Sequence, residues 1–343
     1  MTAQFATSCI AGILAVSFGA AATAGPRETR ADFLKMIDRP RVPLEPEVRE
    51  MPGAGLFQVH FSIATEAGER VPGILIRQFS AGRKPAVIVL HGTGGKKEGE
   101  IPLLKQLAGK GFTAIAIDGR HHGERTRSGS GSAEYSTAIL RTYRTQKGHP
   151  FLYDTVWDVL RLIDYLETRD DVDAKRIGVI GFSKGGMETY LAAAVDFRIA
   201  VAVPCVGVQS FRWALDNDSW QSRVGTFQVA MDGASKDDGL SKVDAGFVRK
   251  FYDRVVPGIY SKFDGPAMVP LIAPRPLLMI NGDSDPRTPR PGLMECVAAA
   301  EKAYVAASAQ DKLVLHLQEN TGHQVRPASL DLAVAWFVKW LRP

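Results

Sequence analysis

The stretch "IGFSKGG" (Ile180–Gly186) follows the run "RIGV" (176–179) and precedes "METYLAAAV" (187–195). It reads as an apolar strand, a turn with Ser183 at its apex, and a helix starting at about Lys184. A lone G-x-S-x-G is a weak signal, because glycine and serine are common in loops. Its physical content is stronger. Small residues at 181 and 185 let two backbones approach while a sharp turn exposes the serine hydroxyl, and a helix N-terminus aims amides at the same point. A serine is nonetheless a poor nucleophile near neutral pH unless a base stands beside it and an acid orients that base. Whether Ser183 is activated therefore depends on the rest of the chain.

Short apolar runs recur on both sides of this stretch: "AVIVL" (86–90), "TAIAI" (113–117), "AVAV" (200–203), "PLLMI" (276–280) and "KLVLHL" (312–317). Such runs suit strands buried on both faces of a parallel sheet. Helical candidates alternate with them at 100–111, 153–169, 185–195, 292–307 and 330–341. In the second, Val156, Val159, Leu160, Ile163 and Leu166 form one apolar stripe. The alternation predicts an α/β fold with a mostly parallel, doubly wound sheet. Segments 56–65 and 71–79, joined around Gly68, predict an antiparallel start. Residues 207–270 break the rhythm with polar sequence and scattered aromatics, and predict a helical insertion or lid. Residues 25–55, rich in Pro, Arg and Glu, read as an irregular arm ahead of one domain spanning 56–343.

In an open α/β sheet, ligands collect at the carboxyl ends of the strands. The loops after these runs hold His91-Gly-Thr-Gly-Gly95, Asp118-Gly-Arg-His-His-Gly123, the Ser183 turn, Asn281-Gly-Asp-Ser-Asp-Pro286 and Gly322-His323. His323 is the candidate base, and His316, inside a strand, a packed or surface residue. Asp285 is preferred as the acid, with Asp283 more suited to capping its turn. The backbone amides of Lys184 and Thr93 are the candidate oxyanion donors, with Gly94 as the alternative to Thr93. His91 reads as a brace for its loop.

From about residue 70 to its C-terminus the chain resembles the α/β-hydrolase superfamily, nearest the dienelactone-hydrolase and prolyl-oligopeptidase-like esterase branch. The motifs that carry the resemblance are "HGTGG", "DGRHHGER", "GFSKGGM", "NGDSDPRTP" and "TGHQ". The order Ser…Asp…His is that of this superfamily. The resemblance implies a Ser183–Asp285–His323 triad that cleaves carboxylic esters through an acyl-enzyme. Two departures stand out: the nucleophile is Ser where dienelactone hydrolases use Cys, and no β-propeller sequence stands before the domain. A peptidase or an acyltransferase on the same triad, or a non-catalytic binding protein of this fold, are the alternatives.

Composition narrows the partners. The 343 residues carry 42 basic and 37 acidic side chains, with the two signs interspersed, so nothing resembles a nucleic-acid-binding stripe. The apolar run "CIAGILAVSFGAAATA" ends at Ala22-Thr23-Ala24 and reads as a secretory signal peptide over 1–24, although "MTAQFATS" lacks a cation. Export follows as the expectation, with no membrane span once the signal is removed. Of three cysteines, Cys9 would leave with the signal, and Cys205 and Cys296 read as buried apolar residues. No His/Cys cluster has metal-ligand spacing, so neither metal nor cofactor is expected. The expected partner is a small-molecule ester. Arg120 and Arg125, in the basic segment 120–150, are candidates for an anionic substrate group, against the alternatives of a solvated loop or a local ion pair. Trp213, with Trp220, either lines an acyl pocket or forms the insertion's own core.

Overall fold

The structure, a computed structural model, describes residues 25–53, 55–127 and 131–343; the expected signal peptide and Cys9 lie outside these. Helix α1 (Pro26–Ile37) and the edge strand β1 (Glu47–Glu50) come first, followed by β2 (Phe57–Glu66), β3 (Glu69–Arg77) and β4 (Lys84–Leu90). Next are α2 (Ile101–Gly109), β5 (Thr113–Ile117), α3 (Gly131–Thr145), α4 (Tyr153–Glu167), β6 (Val172–Phe182), α5 (Lys184–Val195) and β7 (Ile199–Cys205). Four helices, α6 (Phe211–Asp216), α7 (Gln228–Asp237), α8 (Ala245–Val255) and α9 (Gly265–Met268), make up the insertion. The chain then closes with β8 (Leu277–Gly282), α10 (Arg290–Ala306), β9 (Leu313–Gln318) and α11 (Pro327–Leu341).

The nine strands form one sheet in the order β1-β2-β3-β5-β4-β6-β7-β8-β9. Pairings β1·β2, β2·β3 and β3·β5 are antiparallel, and every pairing from β5·β4 through β8·β9 is parallel. This is the α/β-hydrolase arrangement expected from the sequence. Side-chain alternation explains the continuous apolar runs. In β4, Ala86, Ile88 and Leu90 join the cluster under α4, α5 and α10, while Val87 and Val89 join the opposite cluster under α2 and α11. A strand covered on both faces has no position left for a polar residue.

Two segments differ from their sequence reading. The arm is not irregular throughout, because α1 buries Thr29, Phe33 and Ile37 on one face. Phe33 packs edge-on against Tyr153 and Phe263, with ring centroids 5.1 and 5.0 Å apart. The basic segment 120–150 contains α3, which buries Tyr135, Ala138, Ile139, Thr142 and Tyr143. Those positions follow the i, i+3, i+4, i+7, i+8 pattern of an amphipathic helix. Ser136, Thr137, Leu140 and Arg141 stand between them, in a segment whose flanking cations gave it a basic reading. Cys205 and Cys296 are buried and unpaired.

Parallel pairing is what positions the site. Leu90 lies opposite Gly181, Phe182 opposite Cys205, and Gly282 opposite Gln318. The loops after β4, β6, β8 and β9 therefore leave the same edge of the sheet.

Candidate active site

Ser183 occupies the turn between β6 and α5 with φ 54° and ψ −110°, a left-side conformation uncommon for a residue with a Cβ. The turn is held by Ser183 N–H donating to the Cys205 carbonyl at 2.9 Å and by Met187 N–H donating to the Ser183 carbonyl at 3.0 Å. It also requires glycine on both sides. A Cβ on Gly181 would stand 2.2 Å from the Gly185 carbonyl oxygen, and one on Gly185 would stand 2.3 Å from that of Leu90.

The Ser183 hydroxyl lies 2.8 Å from His323 Nε2, and His323 Nδ1 lies 2.7 Å from Asp285 Oδ2. With Nδ1–H donating to the carboxylate, Nε2 is left as the acceptor for the serine proton. Asp285 is buried and accepts two further bonds, from the Arg287 amide at 2.8 Å and the Thr288 hydroxyl at 2.7 Å. Burial alone would raise its pKa. The hydrogen bond and charge of His323, with the bonds from Thr288 and Arg287, outweigh burial and hold the carboxyl below the ordinary value. Thr288 is itself oriented by Asn281, whose side-chain amide donates to its hydroxyl at 2.7 Å. The carboxylate of Asp283 accepts instead the amides of Asn320 and Thr321 at 3.0 and 3.1 Å, tying the His323 loop to the Asp285 loop.

Thr93 and Lys184 line the same pocket as Ser183 and His323. The Gly94 amide is committed elsewhere, donating to His122 Nε2 at 3.1 Å. His122 in turn donates from Nδ1 to the Arg120 carbonyl at 2.7 Å. His91 is braced likewise, with Nδ1 donating to the Gly92 carbonyl at 2.7 Å and Nε2 accepting from the Gly119 amide at 3.0 Å. Burial, then the Lys184 charge, pushes the His91 pKa well down and that of His122 down to about 3. Both rings are thus neutral and fixed in one tautomer, joining the loops after β4 and β5. The Lys184 side chain is buried and paired with buried Glu188, Nζ to Oε1 2.7 Å. Burial raises the Glu188 pKa, against the opposing charge of Lys184.

Three expected substrate contacts are placed away from Ser183. Arg120 meets Asp158 through two bonds of 2.9 Å and Glu66 through one of 2.6 Å. Arg125 meets Asp158 at 2.7 Å and Glu69 at 2.9 Å. Both arginines line a separate cavity with His121 and Arg141. The cause is Asp158, fully buried on α4, whose charge needs cations beside it. Trp213 is turned away as well. Ser210 caps α6 by accepting the Trp213 amide at 3.0 Å, and Asp264 accepts the Ser210 hydroxyl at 2.8 Å. Residues two apart on a helix face opposite sides, so Phe211 enters the Ser183 pocket while Trp213 lines a groove beside α1.

The pocket walls are instead Phe151, Met187, Phe211, Phe227 and Tyr252, with polar positions at Gln209 and Arg223. Phe151 and Phe227 meet edge-on at 4.5 Å. Sequence reasoning missed these residues, since nothing local marks which side chains of the insertion, of α5 or of the segment before α4 converge on the site. Asn281 and Thr288 were findable, because both lie in the "NGDSDPRTP" run around Asp285. Among the described residues, no group of three or more His, Cys, Asp or Glu is placed to hold a metal ion, and no helix is long and apolar enough to cross a membrane.

A family model described as "Glucuronyl esterase, fungi" matches residues 73–308. Among curated proteins, "Putative hydrolase YtaP" of Bacillus subtilis (strain 168) is 28% identical over 287 residues, covering 80% of this chain and 84% of that protein. The 4-O-methyl-glucuronoyl methylesterase of Hypocrea jecorina (strain QM6a) is 29% identical over 161 residues, covering 46% of this chain and 33% of its own length. Among solved structures, an acetyl xylan esterase from Paenibacillus sp. R4 has the same fold, with a TM-score of 0.65 at 20% identity over 91% of this chain and 92% of that one.

Proposed function

The chain belongs to the family of glucuronyl esterases described from fungi, and we propose that Ser183, His323 and Asp285 are the catalytic triad of this carboxylic ester hydrolase. The observation that carries the assignment is the continuous hydrogen-bonded chain from Ser183 Oγ through the His323 ring to Asp285, at 2.8 and 2.7 Å. Ser183 Oγ attacks the ester carbonyl carbon while His323 Nε2 takes its proton. The alcohol leaves with that proton and the acyl group stays on Ser183. Water then attacks the acyl-enzyme, again through His323, and releases the acid. Asp285 keeps the imidazole in the Nδ1–H tautomer. The backbone amides of Thr93 and Lys184 hold the oxyanion, a reading supported by their place on the pocket wall and by the engagement of the Gly94 amide with His122.

The test is a serine-directed phosphonate followed by mass spectrometry. One adduct is expected on the wild type and none on Ser183→Ala; an equal adduct on both rejects the triad. Hydrolysis of methyl esters on Ser183→Ala is expected to fall by at least about 10⁴-fold.

Family membership favours a uronate as the acid component. Methanol release from methyl glucuronate, set beside acetate release from acetylated xylan, separates this from the deacetylase reading. We also infer export, supported by the apolar run ending at Ala22-Thr23-Ala24. N-terminal sequencing of the mature protein would start at Gly25, and a start at Met1 or Thr2 rejects it.

A further inference from the structure

Arg223 lies in the insertion, lines the pocket that holds Ser183 and His323, and is only 5% exposed. Three arginines are this deeply buried among the described residues, Arg120, Arg161 and Arg223. Arg120 pairs with Asp158 and Arg161 with Asp164. Arg223 forms no ion pair with a carboxylate among the described residues. Its Nη1 donates to the Gln209 side-chain oxygen and its Nε to the Ser222 hydroxyl at 3.1 Å. Its Nη2 is buried with no partner, and its guanidinium lies 5.2 Å from the centre of the Phe211 ring.

A buried cation without a counter-charge is costly to keep in a folded protein. The surroundings relieve it only in part: no Asp or Glu lines this pocket, the Asp285 charge acts on it without a direct ion pair and does not outweigh burial, and a second cation, Arg287, is exposed along the wall. A carboxylate brought into the pocket would give Nη2 its missing acceptor and neutralise the charge. Guanidinium and carboxylate match in shape as well as sign. A carboxylate on the acyl portion, which stays on Ser183 after the alcohol departs, would keep Arg223 paired through both half-reactions.

We propose that Arg223 is the binding group for a second, free carboxylate on the acyl part of the ester, making monoesters of dicarboxylic or similarly anionic acids the preferred substrates. This rests on the triad reading above. It leaves the chemistry of the bond unchanged but replaces the uronate reading of the acid, because a uronate whose single carboxyl is the ester has no free carboxylate to offer Arg223.

The experiment compares three matched pairs of methyl esters by pH-stat: monomethyl succinate with methyl butyrate, monomethyl glutarate with methyl valerate, and monomethyl adipate with methyl hexanoate. Within each pair a carboxylate replaces a methyl group, and the three lengths allow for the reach from Ser183 to Arg223. In at least one pair the wild-type ratio of kcat/KM, anionic over neutral, is expected to exceed about 10, and in Arg223→Gln it is expected to fall by about 10- to 100-fold, as for loss of a buried charged partner. Arg223→Lys should retain part of the preference. Wild-type ratios at or below one in all pairs overturn the proposal, and so does a ratio unchanged in Arg223→Gln. Should Arg223→Gln fail to fold, protection of wild-type Ser183 from the phosphonate decides instead. Glutarate should protect at lower concentration than valerate, and equal protection overturns the subsite. Phosphonate labelling with hydrolysis of neutral esters but no anionic preference removes the subsite alone. Absence of both labelling and hydrolysis removes the triad reading with it.

Discussion

Thr288 donates its hydroxyl proton to Asp285 Oδ2 at 2.7 Å, the same carboxylate oxygen that faces His323 Nδ1 at 2.7 Å. Thr288, itself on the wall of the Ser183 pocket, thereby helps set the direction of the imidazole. Asn281 donates to Thr288 in turn, so the end of β8 and the loop after it together align the carboxylate.

Thr288→Val keeps the shape and removes the donor. One hydrogen bond to a charged group is worth about 1.5–3 kcal/mol, so kcat should fall about 10- to 100-fold with KM little changed. Thr288→Ser should restore most of the loss. Steady-state kinetics on a methyl ester check both, and an equal loss in Ser and Val would point to packing as the cause.

His122 should not titrate between pH 5 and 8. Burial and the Lys184 charge push its pKa down to about 3, and its Nε2 is already an acceptor for the Gly94 amide. Its ring resonances in NMR should stay constant over that range. His122→Ala leaves the Gly94 amide without its acceptor, at a cost of about 1–3 kcal/mol in stability, readable by urea unfolding.

Asp158 makes stability depend on acidity. Burial would raise its pKa, but the charges of Arg120 and Arg125 and their hydrogen bonds hold it below the ordinary value. A depressed carboxyl contributes stability fully above the unfolded pKa of about 3.9, and that contribution is lost as pH falls toward the folded pKa. Wild-type unfolding free energy should therefore drop below about pH 4. Asp158→Asn should start about 3–5 kcal/mol less stable at pH 7, because it removes the buried charge that both arginines share and leaves them only the more exposed Glu66 and Glu69, and should show a shallower acid slope.

Arg125→Ala is the matched control for Arg223. Its guanidinium is committed to Asp158 and Glu69, so the variant should lose stability without altering the preference between anionic and neutral esters. A preference that collapsed with Arg125 would place the anionic group in the neighbouring cavity.

Gly185→Ala tests the backbone approach at the turn. The new Cβ would stand 2.3 Å from the Leu90 carbonyl, and a carbonyl in the middle of the sheet has little room to move. A loss of about 1–3 kcal/mol or more is expected from such overpacking, with slower phosphonate labelling of Ser183 as the second readout.

How much of this was legible in the chain depended on how local the cause was. The strands from β4 onward announced themselves because burial on both faces leaves only apolar positions, as in "AVIVL" and "TAIAI". Ser183, Asp285 and His323 stood out because parallel strands deliver successive loops to one edge. Helices α1 and α3 were hidden by their neighbours: Phe33 and Ile37 form a narrow stripe in a highly charged segment, and Tyr135 and Ile139 one among Ser, Thr and Ala in a segment noted for its cations. Strand β1 has four exposed residues and is defined by its pairing with β2, which no local pattern records.

By itself the sequence determined the parallel part of the sheet, the glycine-bounded turn at Ser183, and the order in which Ser183, Asp285 and His323 arrive at the sheet edge. Each of these follows from periodicity, or from a steric demand within a few residues. Only the tertiary structure decided which cations are free. Arg120, Arg125 and Arg223 look alike in sequence, but an arginine's partner is set by what packs against it from elsewhere in the chain. Asp158, thirty-odd positions away on α4, takes up the first two, while Arg223 is carried by the insertion into the Ser183 pocket without an acid to meet it.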